Sequence, residues 1–171
     1  KNIDRFVGKK KQAWQYEQQL LGFNFRMSDV SASIGISQIK KLSKFVLKRN
    51  KIAQFYEKFL DKKFLILPTK NKNYLSSYHL YVIKIKDKYK FLHEKLFNFL
   101  RKKNINVNLH YIPVHLHPFY KSLGFKKGSF KNSEKHSSQS ISLPIFPNLS
   151  QTNILKVSNL INNFFKKNLA K

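Results

Sequence analysis

The spacing of apolar residues changes repeatedly along this chain, and that change restricts it to a fold mixing helices and strands. From Val30 the apolar positions Val30, Ile34, Ile39, Leu42, Val46, Ala53, Tyr56 and Leu60 recur at helical intervals. Ser28 stands where an N-cap is needed, and Asp29 lies in the first turn, where the helix dipole favours an anion. The spacing predicts one long helix over 28–60, bent where Gly35 interrupts it and weakened at the polar stretch 48–51. Residues 64–67 then form a short apolar strand stopped by Pro68, and 78–85 (YHLYVIKI) alternates as a strand should. Helical spacing returns over 88–103, through Phe91, Leu92, Leu96, Phe99 and Leu100. The segment 105–112 (INVNLHYI) alternates again and ends at Pro113. Weak helical spacing at 118–123 closes at Gly124, and 132–140 reads as a further short helix. An extended 141–143 leads into Pro144 and Pro147, after which Ser150 caps a last helix carrying Ile154, Val157, Ile161, Phe164 and Phe165 on its apolar face. The fold class is therefore α/β.

Composition narrows the function classes. With 171 residues and 42% of them apolar, the chain can bury a sizeable core. No cysteine is present, which excludes a disulfide framework, a thiolate zinc site and a cysteine nucleophile. No apolar run approaches the roughly 20 residues that span a bilayer, and no apolar secretory segment follows the basic start. The chain begins at Lys1 rather than Met and reads as a piece of a longer protein. Its formal net charge of +26 suggests nucleic acid or an anionic surface as partner. However, residues with AT-rich codons (Lys, Asn, Phe, Ile, Tyr) make up about half the chain, so nucleotide bias explains much of the charge. Thirty Lys against four Arg also argues against evolved phosphate recognition, which favours the guanidinium fork.

Three segments carry information. In 16–42 (YEQQLLGFNFRMSDVSASIGISQIKKL), Asn24 and Arg26 precede a helix N-terminus, where unpaired N–H groups and the dipole add to an amide and a guanidinium. The segment thus reads either as an anion site or, more simply, as a capped helix with Arg26 on the surface. In 106–120 (NVNLHYIPVHLHPFY), His110, His115 and His117 invite a zinc reading, but cysteines are absent and carboxylates are scarce around them. Two readings stay open: a Pro-stiffened loop presenting His and Tyr to a polar ligand, or a partly buried histidine satisfied beside aromatics. The third segment, 140–154 (SISLPIFPNLSQTNI), is expected to be structural. There is no Gly-rich phosphate loop, nucleophile elbow or metalloprotease helix, and no metal site is assigned.

In order and spacing these segments resemble the DegT/StrS sugar aminotransferases, which use pyridoxal phosphate (PLP) on nucleotide-linked keto-sugars. GFNFRMSD with ASIGISQIKKL carries the first part of the resemblance, and YHLYVI, INVNLHYIPVHLHPFY and SLPIFPNLS the rest. YEQQLLGFNFRMSD with HYIPVHLHPFYKSLGF is most similar to the pseudaminic-acid branch.

The resemblance implies the C-terminal part of a fold-type I enzyme. Residues 1–27 would end the large PLP domain, 28–60 would form the connecting helix, and 61–171 the small α/β domain. It further implies a cytoplasmic homodimer that moves an amino group from glutamate to C4 of a UDP-4-keto-6-deoxy-N-acetylhexosamine, in ping-pong order, for surface polysaccharide or pseudaminic acid synthesis. Asn24 and Arg26 match the Asn-x-Arg expected near the cofactor phosphate. Phe25, expected on the substrate side, stands where Tyr is frequent, so a hydroxyl contact made there by other members would be lost. His110, Tyr111, Ile112 and Pro113 match the His-Tyr-x-Pro loop on the sugar-nucleotide side. The Schiff-base lysine belongs to an upstream segment absent from this sequence, so no residue here is assigned as catalytic, and the chain alone is expected to be inactive. The N-terminal half would be the remainder of the same enzyme or a separate chain. The contrasting reading is a basic module for nucleic acid or anionic surfaces, which predicts affinity falling steeply with salt.

Overall fold

A computed structural model describes residues 21–23, 25–71 and 73–170. The chain forms two compact units, 1–40 and 41–171.

In the first unit, the described residues lead into helix α1 (Asp29–Ile39). Ser28 caps it as the sequence requires: its Oγ accepts the Ser31 N–H at 3.3 Å. No residue of α1 is buried, and Val30, Ile34, Ile36 and Ile39 are all exposed.

The second unit begins with helix α2 (Leu42–Phe59). The span 28–60 is thus two helices rather than one, and the interruption falls at Lys40 and Lys41, not at Gly35. Both lysines keep right-handed helical dihedrals. A short strand β1 (Leu65–Ile66) follows, then β2 (Tyr81–Ile85). A 3₁₀ stretch (Asp87–Leu92) feeds helix α3 (His93–Lys102), so the helix expected over 88–103 starts with a tighter turn. Two short helices, α4 (Pro118–Ser122) and α5 (Lys131–Ser137), precede strand β3 (Ser140–Leu143), and helix α6 (Gln151–Leu169) ends the unit.

The three strands form one antiparallel sheet in the order β1-β2-β3. Alternation sends Tyr81, Ile83 and Ile85 of β2, with Ile141 and Leu143 of β3, to one face, where all are buried. On that face Tyr56 of α2 stacks on Tyr81 with ring centroids 4.9 Å apart, and Phe165 of α6 stacks on Phe64 at the same separation. Phe99 of α3 meets Phe164 of α6 at 5.2 Å. These helices are amphipathic because the sheet offers one apolar face to cover.

Polar side chains finish the joints. Asn162 of α6 donates to the Phe59 carbonyl at 2.8 Å and accepts the Asp61 N–H at 3.0 Å, satisfying groups at the open C-terminal end of α2. Tyr56 Oη donates to the Pro144 carbonyl at 2.9 Å, tying α2 to the chain just beyond β3. Ser150 caps α6 through the Asn153 N–H at 3.2 Å, as its position in the sequence predicts.

The strand predicted over 105–112 is reduced to a single bridge, Asn108 opposite Ser142. Its backbone donors are used locally instead. The Val107 N–H bonds the Ile105 carbonyl at 3.0 Å, and the Leu109 N–H bonds its neighbour's Asn108 Oδ1 at 2.8 Å. Alternation in the sequence correctly buries Ile105 and Val107, but the ladder needs donors that the local turns have already taken.

Candidate functional site

The second face of the sheet carries the candidate site. Val82 and Lys84 of β2 lie opposite Ser142 and Ser140 of β3, so the side that faces away from the core is lined by small and polar groups. The segment after α3 runs along the β3 edge. Asn108 and Ser142 exchange backbone hydrogen bonds, 2.9 Å from the Ser142 N–H and 3.3 Å from the Asn108 N–H. Two residues on, His110 comes back over the same face, and its Nδ1 lies 2.6 Å from Ser142 Oγ. Ser142 is buried, whereas the His110 ring is partly open and Tyr111 and Ile112 beside it are exposed. The Tyr111 ring stands edge-on to the His110 ring at 4.5 Å. Pro113 is buried, anchoring the far end of this short loop.

The three histidines of the segment have three different environments. His110 sits on Ser142. His115 is buried, with its Nε2 2.8 Å from Glu134 Oε1 and its ring edge-on to Phe130 at 4.9 Å. This is the satisfied histidine beside aromatics. His117 is exposed and N-caps α4 through its backbone, ahead of Pro118 at the first helical position.

Glu134 organises the chain between α4 and α5. Besides His115, its Oε1 accepts the Gly128 N–H at 2.7 Å. The hydrogen bond from His115, and then the backbone N–H of Gly128, hold its carboxyl below the usual glutamate range. Helix α4 ends in a Schellman motif: the Gly124 N–H reaches the Lys121 carbonyl at 3.0 Å, and the Phe125 N–H reaches Tyr120 at 3.3 Å. That motif requires a left-handed residue, and Gly124 supplies it at φ 94°. The 110–117 loop is therefore secured at both ends, by Ser142 on the sheet and by Glu134 on α5.

Helix α5 is tied in turn to the start of the 3₁₀ stretch after β2. Lys135 donates to Asp87 Oδ2 at 2.6 Å and Gln139 to Asp87 Oδ1 at 2.9 Å, and these contacts, Lys135 first, lower the Asp87 carboxyl below its ordinary range. Over β2, a cavity of about 270 Å³ is lined by Thr69, Ser76, Tyr78, Lys84 and His136 together with apolar residues, and no carboxylate among the described residues lines it.

Of the remaining sequence-derived residues, Phe25 and Arg26 lie in the first unit, two to three residues before the Ser28 cap, and both are exposed. The Phe25 ring tilts against Phe23 at 5.6 Å. Asn24 lies outside the described residues. Ser142, Glu134 and Lys84 were not singled out by the sequence. Ser142 had a signal, since in SISL the two serines alternate with Ile141 and Leu143 and must share the polar face. Glu134 had none, because its partner lies across a loop.

Among the described residues, no helix is long and apolar enough to cross a membrane. Comparison with known proteins agrees with this architecture. The DegT/DnrJ/EryC1/StrS aminotransferase family model matches residues 3–162. The UDP-4-amino-4,6-dideoxy-N-acetyl-beta-L-altrosamine transaminase of Campylobacter jejuni serotype O:2 is 36% identical over 136 residues, covering 79% of this chain and 36% of that protein. The spore coat polysaccharide biosynthesis protein SpsC of Bacillus subtilis is 30% identical over 158 residues, 90% of this chain and 41% of its own length. Among solved structures, Helicobacter pylori PseC, an aminotransferase involved in pseudaminic acid biosynthesis, superposes with a TM-score of 0.78 at 27% identity, covering 92% of this chain and 43% of that one. The chain therefore spans about two fifths of the length of these relatives. It belongs to the DegT/DnrJ/EryC1/StrS aminotransferase family.

Proposed function

We propose that this chain is the C-terminal part of a PLP-dependent transaminase that moves an amino group from glutamate to C4 of a UDP-4-keto-6-deoxy-N-acetylhexosamine. The product would serve surface polysaccharide or pseudaminic acid synthesis. The observation that carries this reading is the 110–113 loop, with the His110 ring seated on Ser142 and Tyr111 and Ile112 exposed beside it. The likeness to the Campylobacter transaminase and to PseC supports the same substrate class.

In this reading His110, Tyr111, Ile112 and Pro113 line the sugar-nucleotide side, and Phe25 of the first unit is assigned separately to substrate binding. The cavity over β2, with Lys84, His136, three hydroxyls and no carboxylate among the described residues, suits the diphosphate. Arg26 is an exposed guanidinium just ahead of a capped helix, a donor set that fits the phosphate of PLP, and Asn24 would complete it. The cofactor supplies the electron sink for amino transfer. The residues of this chain bind and orient: Arg26 fixes an anion, and His110 and Tyr111 offer hydrogen-bonding groups to the sugar. The Schiff-base lysine would come from the rest of the enzyme, residues 1–27 would close its large domain, and 61–171 would be its small domain. A cytoplasmic homodimer is the working state.

The test is to express the full-length polypeptide that contains this segment, load it with PLP, and supply glutamate with the UDP-4-keto-sugar. Amination of the sugar is expected, with His110→Ala lowering kcat/KM for the keto-sugar by about tenfold, the scale of one lost hydrogen bond to a charged or strongly polar group. The chain of 171 residues alone should give no turnover. Loaded enzyme that aminates no UDP-keto-sugar would overturn the reading.

A further inference from the structure

We propose that the Ser142 hydroxyl sets the tautomer of His110, keeping the neutral ring protonated at Nε2, so that His110 meets its ligand as a hydrogen-bond donor. This makes Ser142 a positioning residue, and it rests on the reading of the 110–113 loop as the substrate side.

Ser142 Oγ and His110 Nδ1 are 2.6 Å apart, so one of them donates to the other. Among the described residues, Nδ1 is the single partner that Ser142 Oγ meets. Ser142 is 5% exposed, so its hydroxyl proton has little access to water. If Nδ1 carried the ring proton, Ser142 Oγ would accept it and its own proton would be left without an acceptor. If the hydroxyl donates to Nδ1, both groups of the pair are satisfied and the ring proton resides on Nε2.

Ser142 is also unable to move aside. Its N–H and carbonyl are both bonded to Asn108, at 2.9 and 3.3 Å, and its residue pairs with Val82 on the other side. The same residue therefore fixes the chain entering the loop and the ring two residues further on. The edge-on Tyr111 ring at 4.5 Å restricts the imidazole from the other direction.

The consequence for recognition is a choice of sign. A keto oxygen and a diphosphate offer only acceptors. An Nε2–H attracts them, whereas an Nε2 lone pair repels them. A serine beneath the ring thus selects the tautomer that an acceptor-rich substrate needs, without placing a charge beside it.

The test uses the full-length polypeptide with ¹⁵N-labelled histidine rings, free of substrate, at a pH where histidine is neutral. Long-range ¹H–¹⁵N spectra identify the tautomer, with the His110 signals assigned by their loss in His110→Gln. A pure Nε2–H pattern is expected in the wild type and in Ser142→Thr, and a mixture of tautomers in Ser142→Ala. An Nδ1–H pattern in the wild type overturns the proposal, and that measurement needs no variant to fold. Kinetically, Ser142→Ala should raise KM for the keto-sugar about tenfold while leaving the glutamate half-reaction unchanged. Equal loss in both half-reactions would mean general damage and would also overturn it. If the polypeptide aminates no UDP-keto-sugar yet shows the Nε2–H pattern, the proposed function fails and the tautomer assignment stands.

Discussion

Replacing Tyr56 with Phe should make the protein less stable at neutral pH and more stable at strongly alkaline pH. Tyr56 is fully buried, stacked on Tyr81, and donates to the Pro144 carbonyl at 2.9 Å. The substitution keeps the ring and its stacking and removes one buried hydrogen bond, a loss of about 1 to 1.5 kcal/mol. With a urea m-value near 2 kcal/mol/M, the midpoint should fall by about half a molar. Burial also pushes the Tyr56 phenol above its ordinary pKa, and burial raises Tyr81 likewise. A pKa raised on folding stabilises the folded state below the ordinary value, about 10 for tyrosine, and that stability is lost as pH rises towards the folded value. Beyond pH 10 each such tyrosine costs the wild type about 1.4 kcal/mol per unit, and the variant carries one fewer. The two stabilities should therefore cross about one unit above the ordinary value, near pH 11. Lysine titration in the same range affects both proteins equally and cancels in the difference. Urea unfolding followed by circular dichroism at pH 7, 10 and 11 reads this directly. Equal midpoints at pH 7 would refute the hydrogen bond, and a difference that does not change with pH would refute the buried phenol.

Two further outcomes follow from the polar joints. Glu134 has a depressed pKa, so its support of the Gly128 turn is present above the ordinary glutamate range and is lost as pH falls through the folded value. Hydrogen exchange at the Gly128 amide should accelerate there relative to a core amide such as Ile83, and Glu134→Gln should abolish the acid dependence. Asn162→Ala leaves the Phe59 carbonyl and the Asp61 N–H without their partner. It should cost about 1 to 3 kcal/mol in urea unfolding, and an unchanged midpoint would show that water replaces both bonds.

Much of the fold is legible because burial on one face leaves a period in the sequence. The alternation in YVIKI and the helical stripe ending in Phe164 and Phe165 both report directly on the core they build. The cap residues Ser28 and Ser150 are equally readable, since capping is a local matter. What the period does not record is which backbone donors stay free for a neighbour. Hence 105–112 alternates like a strand yet pairs only at Asn108, and the break at Lys40 and Lys41 leaves no mark in an apolar stripe that runs through it. In the candidate site, the local motif around His110 was visible, but its support was not. Ser142 lies 32 residues away in sequence and Glu134 lies 19 residues from His115, and such pairings depend on the whole chain path.

The joint made by Asn162 has a consequence for biosynthesis. It links the first helix of the second unit to the last across more than 100 residues of sequence, and α2 and α6 share one side of the same core. A nascent chain that has already exposed Ile52, Ala53 and Tyr56 from the ribosome has only part of their cover, such as Tyr81 against Tyr56, until α6 emerges. The sheet cannot close its core during synthesis, however early its strands pair, because the covering helix is made last. Folding of this unit is therefore delayed until translation has passed α6, and during that interval the apolar face of α2 is a natural target for chaperones.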